Sequence, residues 1–128
     1  MLKITFLVAS ILIFTSSNIF AMDGNKYLDG NILLSQCKIA LEDKDPTLEN
    51  LSDWASGMMC TAYLRGINDL NSLHQEANLK TYFCLPDGMK HNQSIRVVVK
   101  FLEDHPEILH APAMALIVGA YAKAFPCK

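Results

Sequence analysis

Four cysteines constrain the fold of this 128-residue chain more than any other feature of its sequence. They are Cys37, Cys60, Cys84 and Cys127. An even number of cysteines in a small exported chain indicates a disulfide framework, because disulfides persist in oxidising compartments. No two of them have the C-x₂₋₄-C spacing of a tetrahedral zinc site, so two disulfides are expected rather than a metal site. Four cysteines allow three pairings, and their spacing does not choose among them.

The first 21 residues predict that the chain is exported. Lys3 supplies a positive start, residues 4–14 are largely apolar, and a polar break leads to Ala21. This layout is typical of a secretory signal peptide that is cleaved after a small residue. The alternative is a membrane anchor, but the run is short for a spanning helix of about 20 apolar residues. We expect a signal peptide at residues 1–21 and one domain at residues 22–128.

The charge pattern excludes nucleic acid as a partner. The formal net charge is −2 at pH 7, and the chain has two arginines, Arg65 and Arg96. Proteins that bind nucleic acids carry a basic patch or stripe that neutralises phosphates, and this sequence has none.

Apolar spacing predicts an all-α fold, a small disulfide-stapled helical bundle of about four to five helices. The predicted helices cover about 29–41, 51–73, 92–104 and 111–125, with a further helical turn that opens at Pro106. The run Val97–Val99 is β-branched and favours a strand locally. We still predict a helix there, because polar residues recur at helical intervals around it: Gln93, Arg96, Lys100 and Glu103.

The same spacing predicts which side chains form the core. On the second helix, Trp54, Met58, Ala62 and Leu70 fall near one face, which we expect to point inward. The full predicted core is Trp54, Met58, Ala62, Ile95, Val98, Val99, Leu102, Leu116 and Ile117. Gly57 and Gly66 lower the helix propensity of this segment, so we expect close approach of another helix.

No pattern supports catalysis, a cofactor or a metal ion. A cysteine nucleophile needs an unpaired thiol, whereas all four cysteines have plausible partners. His105 and His110 are five residues apart with Pro106 between them, whereas a zinc helix needs histidines four apart. Adjacent acids such as Glu103 and Asp104 are typical of a solvated rim. We therefore predict a binding protein and not an enzyme.

Four segments together resemble a known family. They are the cysteine–small–aromatic–glycine segment at 60–66, Cys-Leu-Pro at 84–86, the valines before His-Pro at 97–107, and Phe-Pro-Cys at 125–127. In this order they are similar to the Rap/Tai family of type VI secretion amidase immunity proteins. Two positions depart from the pattern. Thr61 stands where glycine is common, and Lys90 stands where a threonine often caps the third helix, which predicts a weaker cap.

The resemblance implies a periplasmic, all-helical protein, often a homodimer, that occludes a peptidoglycan amidase delivered by a type VI secretion system. Such amidases use a cysteine–histidine site. Two other interpretations stay open. One is an HdeA-like periplasmic stress chaperone, which is also small, helical and disulfide-bonded. The other is an envelope accessory protein without a toxin partner.

Two finer expectations complete the sequence interpretation. We expect disulfides Cys37–Cys84 and Cys60–Cys127. The first would tie the opening helix to the start of the third, as in the similar layout of HdeA, in which an early cysteine joins one before a late helix. The second would tie the long second helix to the terminal one. We expect the toxin to be bound by polar residues at helix ends, where loops project without a large ordering cost. The predicted contact residues are Asp87, Lys90, His91 and Asn92 after Cys84, together with Asp104, His105 and Glu107 at the next junction.

Overall fold

The structure, a computed structural model, describes residues 28–128, and the predicted signal peptide lies outside the described residues. The elements are α1 (Gly30–Ala40), α2 (Leu51–Glu76), α3 (His91–Asp104), a 3₁₀ turn η1 (Pro106–Ile108) and α4 (Ala113–Ala124). Within this part of the chain there is no strand, only an isolated bridge between Asp29 and Pro112. The predicted all-α fold is confirmed. None of the described helices is long and apolar enough to cross a membrane.

Helix α1 begins where the sequence predicts, because Asp29 caps it. The Asp29 carboxylate accepts a hydrogen bond of 3.0 Å from the Ile32 amide, which satisfies one free donor of the first turn. The Gly30 amide also donates to the Ala111 carbonyl at 3.2 Å. These bonds fix the start of α1 beside the start of α4.

The core is shared by the four described helices, with α1 packed against α2 and α3, and α4 packed mainly against α3. The predicted core residues on α3 and α4 are buried, and Val98, Leu102 and Ile117 have no exposed surface. The largest fully buried side chains that were not predicted are Leu33, Leu64, Phe83 and Tyr121. Phe83 comes from the segment between α2 and α3, and its ring lies 5.0 Å from that of Tyr121. The 81–85 segment therefore contributes to the core as the helices do.

The predicted orientation of α2 is wrong. Trp54 is 38% exposed and Met58 45% exposed, and Ala62 and Leu70 also face outward. The buried face is instead formed by Gly57, Cys60, Leu64, Ile67 and Asn71. Both faces of this helix carry apolar residues, so the apolar pattern fits either orientation. The disulfide at Cys60 decides between them by turning that residue toward α1.

The predicted disulfide pairing is also wrong, although two disulfides are confirmed. Cys37 is bonded to Cys60, and Cys84 is bonded to Cys127. The first bond joins adjacent antiparallel helices, α1 and α2, and both cysteines are fully buried. The second ties the middle of the α2–α3 connection to the C-terminus. Each bond thus links segments that the fold already packs together.

The two glycines of α2 have different surroundings. A Cβ at Gly57 would lie 3.1 Å from both N and Cα of Ala40, so α1 approaches the backbone of α2 here, as expected. A Cβ at Gly66 would meet nothing within 4 Å. The described chain therefore supplies no contact that explains a glycine at position 66.

Candidate partner-binding surface

The predicted contact residues divide between the two ends of α3. Residues 87–92 lie at its N-terminal end, and residues 104–107 lie at its C-terminal end. A helix of 14 residues is about 21 Å long. The structure therefore does not bring the two groups together, and they form two separate surfaces.

At the N-terminal end, a constrained turn leads directly into the helix. Gly88 has φ +75°, and the Met89 amide donates to the Pro86 carbonyl at 3.3 Å. Behind the turn, Cys84 is held by its disulfide and by a hydrogen bond of 2.9 Å from its amide to the Phe125 carbonyl. The exposed Asp87 therefore lies on a loop with restricted freedom.

Lys90 is the N-cap of α3 and, as the sequence predicts, it provides no side-chain capping bond. Its carbonyl accepts from the amides of Gln93 and Ser94 at 3.0 and 3.2 Å, which is ordinary backbone closure of the first turn. The uncapped turn leaves amide donors free near the exposed side chains of Lys90 and Asn92. Amide donors and a lysine at a helix N-terminus favour acceptor or anionic groups on a partner.

His91 is partly buried at the same end. Its Nε2 is shielded from solvent and has no hydrogen-bond partner within residues 28–128. Burial, with the positive charge of Arg65 as a smaller cause, lowers the pKa of His91 below its usual value of 6.5. The imidazole is therefore neutral at pH 7.

His91 and Asn92 form one wall of a surface groove of about 250 Å³. Its other walls come from the end of α1, the α1–α2 connection and the first turns of α2. The sequence interpretation missed this groove, because it placed Trp54 and Met58 in the core. Its lining residues are Ile39, Ala40, Glu42, Asp43, Lys44, Asn50, Asp53, Trp54, Gly57, Met58, Thr61, His91 and Asn92.

At the C-terminal end of α3, two of the three predicted residues are engaged by their own helix. Asp104 pairs with Lys100 at 2.9 Å, and this hydrogen bond is the main cause that lowers the pKa of Asp104. His105 Nδ1 lies 2.7 Å from the Phe101 carbonyl, and the two rings stack at 4.5 Å. Glu107 is exposed. Two of the three side chains at this end therefore already have partners within α3.

All four cysteines are in disulfides, so none is available as a thiolate nucleophile. Between residues 28 and 128, no three His, Cys, Asp or Glu side chains converge as metal ligands would. The restrained turn before α3 and the groove give the described chain a shaped surface, which suits recognition of another macromolecule.

Comparison with known proteins agrees with the resemblance. No curated protein and no solved structure gives a significant match to the chain. The family model of Rap1a immunity proteins matches residues 29–127. The match includes all four helices and both disulfides. The chain therefore belongs to the family of Rap1a immunity proteins.

Proposed function

We propose that this chain is a periplasmic immunity protein that binds and occludes a peptidoglycan amidase effector of a type VI secretion system. The observation that carries the proposal is the family match over residues 29–127. Immunity proteins act by binding a cognate toxin, and the resemblance to the Rap/Tai family indicates that the toxin is an amidase. Occlusion requires a rigid shape, and the two disulfides and the shared core supply it.

The toxin-facing surface that we propose is the N-terminal end of α3 with its preceding turn. Lys90 and Asn92 are exposed there, and the turn is restrained by the Cys84 disulfide and by the hydrogen bond from the Met89 amide to the Pro86 carbonyl. A restrained loop can enter an active-site cleft with little loss of conformational entropy. The free amides of the uncapped first turn add donors for acceptor groups that line such a cleft.

We further propose that the protein is a homodimer that packs through the outward face of α2. This face carries the exposed apolar side chains Met59, Leu70 and Leu73, at 62%, 51% and 58% exposure. Gly66 lies among them with open space above it. In an antiparallel, twofold-related pairing, Ala62 of one copy would face Gly66 of the other, and Ala55 would face Leu73. Small residues at the axis would allow the close backbone approach that explains Gly66.

A substitution at Gly66 should disrupt the proposed dimer without disturbing the fold of the monomer. Gly66→Gln should leave the monomer fold intact, because a Cβ at this position meets nothing within 4 Å and glycine disfavours helix. We expect light scattering to give a dimer for the mature wild-type protein and a monomer for this variant. A wild-type monomer at tens of micromolar concentration would refute the dimer.

The periplasmic location is proposed from the signal layout of residues 1–21. Mass spectrometry of the protein from a periplasmic extract should give an N-terminus at Met22, within two residues. A mature protein that retains Met1 would contradict export by a cleaved signal.

The immunity function is tested by producing the mature protein in the periplasm together with the amidase encoded beside it. We expect wild-type protein to prevent lysis, and a folded Lys90→Glu/Asn92→Ala variant to protect less. The matched control is Asp104→Asn/Glu107→Gln at the other end of α3, which should protect like wild type. If the wild-type protein neither binds the amidase nor protects the cell, the chaperone or accessory interpretation replaces immunity.

A further inference from the structure

We propose that the groove between Trp54 and the end of α1 receives a lysine or arginine side chain of the toxin. This inference rests on the proposed function, and it adds a second, chemically defined contact to the loop at residues 87–92.

The facing walls that α1 and α2 give to the groove carry apolar side chains. Trp54 and Met58 lie one helical turn apart on α2, and each keeps more than a third of its surface exposed. Opposite them are Ile39 and Ala40, and the two helices approach closely here, since a Cβ at Gly57 would lie only 3.1 Å from the Ala40 backbone. Exposed tryptophan on a rigid element, in a concave site, is typical of the few residues that dominate binding energy.

The rim of the groove is acidic. Glu42 forms an ion pair of 2.7 Å with Lys44, so these two charges cancel. Asp43 and Asp53 also line the groove, and neither forms an ion pair with another residue of 28–128. The pKa of Lys44 is raised, chiefly by its hydrogen bond to Glu42 and also by Asp53. The three acidic side chains and one lysine that line the groove give it a net charge of −2, taking His91 as neutral.

The acidic rim is the feature that favours a cation over a neutral or anionic group. The carboxyl end of α1 and the amino ends of α2 and α3 all meet at the groove, so the helix dipoles favour neither sign of charge. His91, on the opposite wall, is neutral at pH 7 and does not offset the acidic rim. A lysine or arginine can place its alkyl stem along Met58 and its charge over the Trp54 ring, where cation–π attraction adds to the charge pairing.

The groove is continuous with the proposed toxin-facing surface. Asn92 lines the groove and also belongs to the exposed first turn of α3. A toxin that is bound at the Lys90–Asn92 turn therefore lies against the groove opening. The groove is lined by the side of α2 that carries Trp54, Gly57 and Thr61, whereas the proposed dimer face is the side that carries Met59, Ala62 and Gly66.

The test measures binding of the mature protein to the purified amidase encoded beside it. Trp54→Ala should raise the dissociation constant by about 30-fold or more, as loss of a hot-spot residue does. Asp43→Asn/Asp53→Asn should raise the dissociation constant by about 3- to 10-fold and make the affinity less dependent on salt. Tyr82→Ala is the control for Trp54→Ala, since Tyr82 is 56% exposed and lines a different cavity. Circular dichroism should show that all three variants are folded.

Alanine substitution of each lysine and arginine on the amidase then identifies the cation. One of these substitutions should be non-additive with Trp54→Ala in a double-mutant cycle. If the wild-type protein does not bind the amidase, the immunity function itself fails. If wild type binds but the Trp54 and Asp43/Asp53 variants bind equally well, only the groove contact is refuted. Weakening by Trp54→Ala without any coupled lysine or arginine would also refute a cationic occupant.

Discussion

The hydroxyl groups of Ser94 and Tyr121 lie 2.9 Å apart inside the core and join α3 to α4. Both residues are almost completely buried, and burial is the main cause that raises the pKa of Tyr121. A buried hydroxyl without a partner loses its hydration without compensation. This single polar contact therefore constrains how α3 and α4 pack.

Tyr121→Phe should lower the free energy of unfolding by about 1–3 kcal/mol, since it leaves the Ser94 hydroxyl buried without this partner. Ser94→Ala should have a similar effect, because it leaves the Tyr121 hydroxyl buried without this partner. The double variant should lose less than the sum of the two, which chemical denaturation of all four proteins can measure. Strict additivity would show that the two hydroxyls do not interact.

Val98→Asp tests the orientation of α3. Val98 has no exposed surface, so a carboxylate there would be buried without a partner and should cost several kcal/mol, about 3 or more, or prevent folding. Arg96→Asp is the matched control, because Arg96 is exposed on the same helix. An unchanged melting temperature of Val98→Asp would show that the helix is turned the other way.

The behaviour of α2 and α3 shows what the sequence could predict of this fold. Around Val98, polar residues alternate with apolar ones at helical intervals, so both the helix and its buried face were predictable despite three β-branched residues. On α2, the apolar residues surround the helix, and the pattern could not distinguish the face of Trp54 from that of Leu64. Only the contact between Cys60 and Cys37, which is tertiary information, resolves this.

The candidate site was predictable only in part. Proline, glycine and a nearby cysteine mark the turn before α3. The missing cap was predictable because the lysine side chain at position 90 cannot accept a hydrogen bond from a backbone amide. The groove was not predictable, because it combines the end of α1 with α2 and the start of α3. Its key side chain, Trp54, is of a type that is usually buried, and a sequence pattern does not distinguish an exposed binding residue from a core residue.

The two disulfides should differ in their sensitivity to reductant. Cys37 and Cys60 are fully buried, whereas Cys127 is exposed and Cys84 is partly exposed. Because thiol–disulfide exchange requires access to a sulfur atom, mild reduction should open Cys84–Cys127 first. Alkylation followed by non-reducing peptide mapping should find Cys37–Cys60 intact in the partly reduced protein. Recovery of a Cys37–Cys84 peptide would contradict the pairing.

His91 should make stability depend on pH. Its folded-state pKa lies below the usual 6.5, so below about pH 6.5 the unfolded chain binds more protons at this site than the folded one. The contribution is therefore fully present above pH 6.5 and is lost as pH falls through the depressed folded-state pKa. His91→Asn should flatten this part of the curve of unfolding free energy against pH. An identical slope in both proteins would show that His91 titrates normally.

Inhibition of the neighbouring amidase by the purified mature protein is the most direct test of the immunity function. The amidase is assayed on peptidoglycan while the protein is added in increasing amounts. We expect hydrolysis to fall linearly and to cease near one equivalent of immunity protein per amidase, as expected for tight occlusion of the active site. Full amidase activity in the presence of a large excess of the folded, disulfide-bonded protein would contradict the proposed function.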